Sequence, residues 1–319
     1  YRFELNCYIV VDCSTNEGLF YSRRIGRAPT LLGTYGDAST PAATPIAFAA
    51  KVTGRTRGGL SFGALNAVTR RVAGSQDRTV EPLTNYAVLR AQQDLRGGEA
   101  GVSWIATAVN RSLDEWTRPV LHEAAYTMGL SFRNRFARNY ELAGSFAASH
   151  VTGSPEAILR TQTNAVHYFQ QPGDDHEVDP TRTSLSGHAE QIKFGKYGGG
   201  ITRFETSLVR QSAGFEVNDL GYLRRADVLD WSTWAALSFR NQRWIYRWAQ
   251  FNANHWETWT TSGLRLENAF NVNGHMGLNN TGTCTQAPRW AGSARATATA
   301  ARAAARRSGS RGASTRGSA

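Results

Sequence analysis

The sequence predicts an all-β fold: an antiparallel up-and-down β-barrel of the transmembrane type, present in part, with one short helix in a loop. Three observations carry that prediction. Segments of period two recur along the chain, each near the roughly 9–11 residues that cross a bilayer when tilted. The face opposite the large apolar residues is small or polar and takes charge in mid-strand, at Lys51, Arg90 and Glu123. A wet lumen tolerates such charge and a dry sandwich core does not. Six tryptophans (Trp231, Trp234, Trp244, Trp248, Trp256 and Trp259) crowd into one stretch with Tyr222 and Tyr246, which suits an aromatic girdle at the lipid–water boundary. The alternative is a soluble barrel with core aromatics.

Taken in order, Ile46–Arg55 places Ile46, Phe48, Ala50 and Val52 on one face, against Ala47, Ala49, Lys51, Thr53 and Arg55. The turn Arg57-Gly58-Gly59 and a second strand, Leu60–Arg71, complete a hairpin. Val102, Trp104, Ala106 and Ala108 repeat the pattern, as do Tyr126, Met128, Leu130 and Phe132, then Tyr140, Leu142, Gly144 and Phe146. Trp231, Thr233, Ala235, Leu237 and Phe239 continue it, and the whole chain yields about ten to twelve such segments. One stretch differs. Ser154–Gln170 reads as a helix, with Ser154 as its cap, Pro155 at the first helical position and Glu156 in the first turn. With the proline- and acid-rich run Gln171–Arg182 it forms a long connection of the kind found on a barrel's outer face.

Composition agrees. The 319 residues are 41% hydrophobic, and no stretch approaches the roughly 20 apolar residues of a spanning helix. Glycine is frequent at 31, aromatics reach 11% and proline is sparse at 9, which suits strands and tight turns. Cys7, Cys13 and Cys284 make no CxxC pair; a Cys7–Cys13 bridge is conceivable in an oxidising compartment, and unpaired thiols are the simpler reading. Three spans result: a segment 1–18, a partial barrel 19–280 and a tail 281–319. Positive charge concentrates in residues 291–319 of that tail, where Arg295, Arg302, Arg306, Arg307, Arg311 and Arg316 stand without an acid beside them. The net +11 less these six leaves an ordinary +5. The tail reads either as a disordered basic arm or as out-of-frame GC-rich sequence, and its stretch 291–319 has no aromatic to stack a base.

Candidate chemistry is sparse. Gly59-Leu60-Ser61-Phe62-Gly63 fits the nucleophile-elbow spacing, but that elbow needs a strand, a strained turn and a helix; here Ser61 opens a strand of small residues. The acidic run Asp174-Asp175-His176-Glu177-Val178-Asp179 offers carboxylates to calcium without the EF-hand spacing, and a solvated loop accounts for it. Gly198-Gly199-Gly200 reads as a hairpin turn. Glu123, Glu141, Glu190 and Glu205 fall in strand-like runs and can line a lumen. No residue is assigned a catalytic, cofactor-binding or metal role, and no cofactor is expected.

The runs LFYSRRIGRAP (19–29), VEPLTNYAVLRAQQDLRGG (80–98), SPEAILRTQTNAVHYFQ (154–170), DPTRTSLSGHA (179–189), GFEVNDLGYLRRAD (214–227) and NVNGHMGLNN (271–280) are long enough to be specific. Over about residues 15–280 the chain resembles a bacterial family with an N-terminal module like the family-nine carbohydrate-binding domains. Its C-terminal region is of unknown function and resembles TonB-linked outer-membrane barrels. The resemblance implies an outer-membrane location for the parent, a lipid bilayer as partner, and carbohydrate bound only through a module absent from this chain. It ends near Asn280, so the chain reads as an incomplete barrel without a leader. The expected function is solute passage, or anchoring of a surface module, with no chemistry of its own. The rivals are a carbohydrate-active hydrolase with its site in the barrel mouth, and a nucleic-acid binder using the tail, though no specific nucleic acid is expected.

Overall fold

The computed structural model describes residues 18–243 and 245–279, together with the backbone of 283–286. The 1–18 segment (except Gly18), the Cys7–Cys13 pair, Trp244 and the arginine-rich tail from Arg295 lie outside the described residues. Twelve strands form one antiparallel sheet. They are β1 (Ile46–Arg55), β2 (Leu60–Thr69), β5 (Leu83–Leu95), β6 (Ala100–Ser112), β7 (Ala124–Phe136) and β8 (Tyr140–Thr152). After these come β9 (Ser184–Lys196), β10 (Thr202–Gln211), β11 (Val228–Phe239), β12 (Tyr246–Trp259), β13 (Arg265–Leu278) and β14 (Thr283–Gln286). Each pairs with the strand before and after it in this order, so the topology is up-and-down. Closure is not seen: among the described residues β1 and β14 stand at opposite ends of the sheet, each with a single neighbour. A small hairpin of β3 (Val72–Ala73) and β4 (Thr79–Glu81) makes a second sheet.

The two ends of the large sheet differ. At one end the connections are tight, at 56–59, 96–99, 137–139 and 197–201. At the other they are long, at 70–82, 113–123, 153–183 and 212–227, with 260–264 a shorter exception. Helix α2 (Pro155–Thr163) lies in the longest of these, and the short helix α1 (Leu32–Tyr35) precedes the sheet. The Ser154 hydroxyl accepts from the Ala157 N–H at 3.3 Å and caps α2 as its sequence requires. The helix stops at Thr163 and does not run to Gln170. Asn164 is extended, and its side chain accepts the N–H groups of Val166 and His167, so a local Asx turn outcompetes another helical turn.

Alternation gives the sheet two unlike faces. One face is bare and apolar. It exposes Phe48 and Val52 of β1, Phe62 of β2, Leu89 of β5, Val102 of β6, Met128 and Leu130 of β7, Phe146 of β8 and Ile192 of β9. Leu208, Leu237, Phe251 and Val272 continue it across β10 to β13. The other face is packed. Ala67, Tyr86, Val88, Ile105, Val109, Ala125, Ala147, Val151, Leu185 and Ala189 point there and join one buried cluster with Leu19, Ile158, Phe169, Phe215, Val217, Leu220 and Leu223 from the connections. The long connections therefore fold over this face, and α2 belongs to the core. This corrects the expectation of an outer loop, since Ile158 is fully buried.

Gly187 of β9 shows how closely the 212–227 connection lies on the sheet. A Cβ added there would sit 2.2 Å from the Phe215 nitrogen and 2.4 Å from its Cα. Only glycine lets the two backbones approach this far.

Aromatic placement also departs from the expectation of one girdle in the tryptophan-rich run. Trp231 is exposed on the bare face, whereas Trp234 and Trp256 sit at alternate register positions on the packed face. The period of two splits residues of opposite parity, so sequence crowding does not make a ring. An aromatic rung forms elsewhere on the bare face, at the tight-turn end. Phe136, Tyr140, Phe194 and Phe204 stand side by side across β7 to β10, with ring centroids 5.5–6.4 Å apart.

Candidate functional site

The packed face changes chemistry along its length. Near the long connections it is dry and held by a charged latch. Arg111 at the end of β6 donates to Asp219 Oδ1 at 2.6 Å and to the His122 carbonyl at 3.0 Å. Asp219 Oδ2 lies 2.7 Å from His122 Nδ1, and His122 Nε2 lies 2.7 Å from Thr161 Oγ1 on α2. The Thr161 hydroxyl donates to the Ala157 carbonyl, so its oxygen accepts from Nε2–H, while Nδ1 donates to the carboxylate. Both ring nitrogens then carry protons. Burial alone would lower the His122 pKa, but Asp219 beside it raises it. Burial would raise Asp219, and His122 with Arg111 instead holds it far below the usual carboxylate range.

Carboxylate, imidazole and hydroxyl in a row is the order of a nucleophilic triad. Here the hydroxyl is buried in a helix and back-bonded to its own turn, so the arrangement is a clasp between β6, α2 and the 212–227 connection. A second clasp joins His167 to the Ala213 carbonyl at 2.7 Å and to Glu216 at 2.8 Å. Arg24 adds a third, donating to Asn218 Oδ1 and the Gly221 carbonyl, each at 3.0 Å.

Midway along the strands, hydroxyl pairs replace the apolar residues: Thr107 with Thr127 at 2.7 Å and Ser103 with Ser131 at 2.5 Å. Toward the tight turns the face becomes charged. Arg135 pairs with Glu141 at 2.8 Å and Lys193 with Glu205 at 3.0 Å. Glu141 and Glu205 flank Gly195 of β9 in register, and the Tyr197 ring lies over that glycine, where a Cβ would meet it at 2.7 Å. The Tyr197 hydroxyl donates to Glu205 at 2.6 Å, and burial together with that carboxylate pushes its pKa up. The space between the two carboxylates is thus taken by the protein's own phenol.

On β11 to β13 the same face is lined by amides. Asn252 donates to Asn273 and Asn254 donates to Asn271, each at 2.7 Å. Trp234 Nε1 donates to Asn252 at 3.1 Å and Trp256 Nε1 to Glu267 at 2.9 Å. A cavity of about 270 Å³ opens here, lined by Glu205, Ser232, Trp234, Asn254, Trp256 and Asn271, with Thr233 and His255 from the intervening positions.

The family model described as "Domain of unknown function (DUF5916)" matches residues 11–295. The chain belongs to that family. The match reaches beyond the span 15–280 at both ends. No curated protein and no solved structure matches the DUF5916 chain.

The DUF5916 fold places the sequence candidates as follows. Ser61 lies inside β2, opposite Arg55 and Gln92, with strand continuing on both sides and no helix after it. Lys51 and Arg90 fall on the packed face by register. Glu123 does not lie in a strand: it is exposed and precedes β7, its N–H donating to the Thr152 carbonyl. Glu141 and Glu205 reach the packed face, whereas Glu190 lies on the opposite face with His188 and Arg210. That trio reaches the middle of β9, where Glu190 is in register with Phe146, while the Asn66–Asn85, Tyr126–Asn110 and His150–Ser186 pairs make a polar rim nearer the long connections. Gly199 and Gly200, both at positive φ, make the turn between β9 and β10.

The acidic run is more than a solvated loop. Asp174 and His176 meet Asp227 from the 212–227 connection, with ligand atoms within 4.8 Å of one another. Two carboxylates and an imidazole are a donor set that suits a divalent ion. Its atoms already answer one another: Asp227 Oδ1 accepts from Thr261 and lies 3.1 Å from His176 Nε2, and Ser262 donates to Asp174. Burial and the neighbouring Asp227 raise Asp174. Burial would raise Asp227 too, but hydrogen bonds from Asp174 and Thr261 lower it. The acidic run pointed to Asp174 and His176, but nothing in the spacing pointed to Asp227 or to the latch, whose members come from separate connections.

Proposed function

We propose that this domain is wall and constriction of a transmembrane-type β-barrel in a bacterial outer membrane. Its bare face meets lipid, and its packed face borders a solute path or holds a surface module in place. The observation that carries the reading is the largely apolar bare face, broken at the Glu190–His188–Arg210 cluster. Phe, Leu, Ile and Val side chains stand about half exposed on strand after strand, and each gains part of the about 1.5–3 kcal/mol that full transfer from water brings. On β7 the exposed residues Tyr126, Met128, Leu130, Phe132 and Phe136, interrupted by Asn134, cover about 34 Å along the strand from polar rim to aromatic rung, both interfaces included. Tilted by about 40°, that is close to the ~25 Å apolar band of outer-membrane barrels.

Two further features support it. The stacked aromatic rung at the tight-turn end and the polar rim at the other end bracket the apolar band, as two interfaces would. Tight turns at one end and long connections at the other repeat the asymmetry of such barrels. No helix among the described residues is long and apolar enough to cross a membrane. Inward-folded connections narrow the path at the long-connection end.

The test is reconstitution of the full chain into phosphatidylcholine vesicles. The expected result is resistance to carbonate extraction, protease protection of the strands, and gel migration that shifts on boiling. A chain extracted by carbonate, with unshifted migration, would refute the proposal.

A further inference from the structure

We infer that the amide-lined cavity on β11 to β13 is a binding site for a neutral polyhydroxylated ring, a pyranose sugar. The inference deepens the proposed function and rests on its reading of the packed face as the solute side.

The strand register sets the site as a small grid. Glu205, Trp234, Asn254 and Asn271 stand directly opposite one another in a row across four strands, and Ser232 faces Trp256 in the next row. Both indole N–H groups are already spent within the wall, on Asn252 and Glu267. This fixes the ring planes and leaves the indoles only their apolar faces to offer a ligand. The Asn254–Asn271 bond uses one amide hydrogen and one carbonyl oxygen. It leaves the Asn254 carbonyl oxygen as acceptor and the Asn271 amino group as donor.

Apolar faces beside fixed donors and acceptors match one ligand class well. A pyranose has a face of C–H groups to lie on an indole, and ring hydroxyls that each donate and accept. Charge argues for neutrality. Glu205 is matched by Lys193 at 3.0 Å, and Glu267 and Asp230 nearby would repel phosphate or carboxylate ligands. Size argues for one ring at a time, since about 270 Å³ falls just below the usual range for drug-sized ligands, ~300–1,000 Å³.

The experiment is a titration of the full chain in detergent micelles with glucose, galactose, mannose, maltotriose and cellotriose, followed by tryptophan fluorescence and by calorimetry. At least one sugar should give saturable binding. Trp234→Ala and Asn254→Ala should each weaken it tenfold or more, while Trp231→Phe on the opposite face leaves it unchanged. Asn254→Ala keeps the test decisive if the tryptophan variant fails to fold. Lack of saturable binding by all five sugars would overturn the inference, as would binding unaltered by both alanine variants. Gel migration of the same preparation separates the two claims. Sugar binding by a chain whose migration does not shift on boiling would sink the membrane proposal alone. A shifting chain that binds no sugar would sink the site alone.

Discussion

The packed face of β5 to β9 and the same face of β11 to β13 obey one alternation in one sheet, yet they are built from different chemistry. Under the folded connections the inward residues are Ile105, Val109, Ala147 and Val151, each at most 2% exposed. Beyond them the inward residues are Asn252, Asn254, Asn271 and Asn273, linked as a ladder. The bare face is apolar behind both. Strand period therefore decides which way a side chain points, and the covering segment decides what that side chain has to be. Where backbone from elsewhere excludes water, apolar contact is the stabilising term. Outside that covered cluster, amides bond one another and keep capacity for a ligand.

The largest break in this comparison should come from Asp219→Asn. Arg111 would keep its buried charge and lose its counter-charge, and breaking a buried pair costs about 3–5 kcal/mol. Chemical denaturation should register that loss, with the 153–183 and 212–227 connections becoming protease-sensitive first. Stability within 1 kcal/mol of the parent protein would mean that the latch is not what holds the cover down.

Gly187→Ala should act on the same cover by shape alone. The added Cβ meets backbone of Phe215 and Gly214, not a flexible side-chain end, and overpacking of that kind costs about 1–3 kcal/mol. Asn252→Ala, in the amide half, should cost about 1 kcal/mol for its lost hydrogen bonds and leave the cover's protease resistance intact. If Asn252→Ala loosens the connections as much as Gly187→Ala does, the two halves are not separate.

Legibility in the sequence follows the same division. Period-two runs such as Tyr126–Met128–Leu130–Phe132 are local, so the strands, the Arg57-Gly58-Gly59 turn and the Ser154 cap could be read directly. The aromatic rung could not, because its four rings come from four strands, and the tryptophan run misled because neighbours in sequence alternate between faces. The latch joins residues 97 and 108 positions apart. Nothing in the spacing of Arg111, His122 and Asp219 announces it. The amide ladder was visible only as scattered asparagines, since register, which depends on every turn before it, brings Asn254 opposite Asn271.

The smallest expected effect is a pH dependence confined to the covered half. Burial works against His122 and Asp219 beside it more than compensates, so its folded pKa is raised. A raised pKa means that stability from the protonated ring is fully present below the unfolded-state value of about 6.5. It is lost as pH rises through the folded value above that. Asp219 runs the other way. Its depressed folded pKa keeps its contribution intact above about pH 3.9, losing it only as pH falls through the folded value. The latch should therefore hold through mildly acidic conditions and loosen on the alkaline side, when one of the two imidazole N–H bonds, to Asp219 or to Thr161, must go. Thermal melts from pH 5 to 9 should show stability falling above about 6.5, and His122→Gln should flatten that slope while lowering the acid-side plateau. A slope that persists undiminished in His122→Gln would assign the pH dependence to other groups and reduce the latch to its Arg111–Asp219 pair.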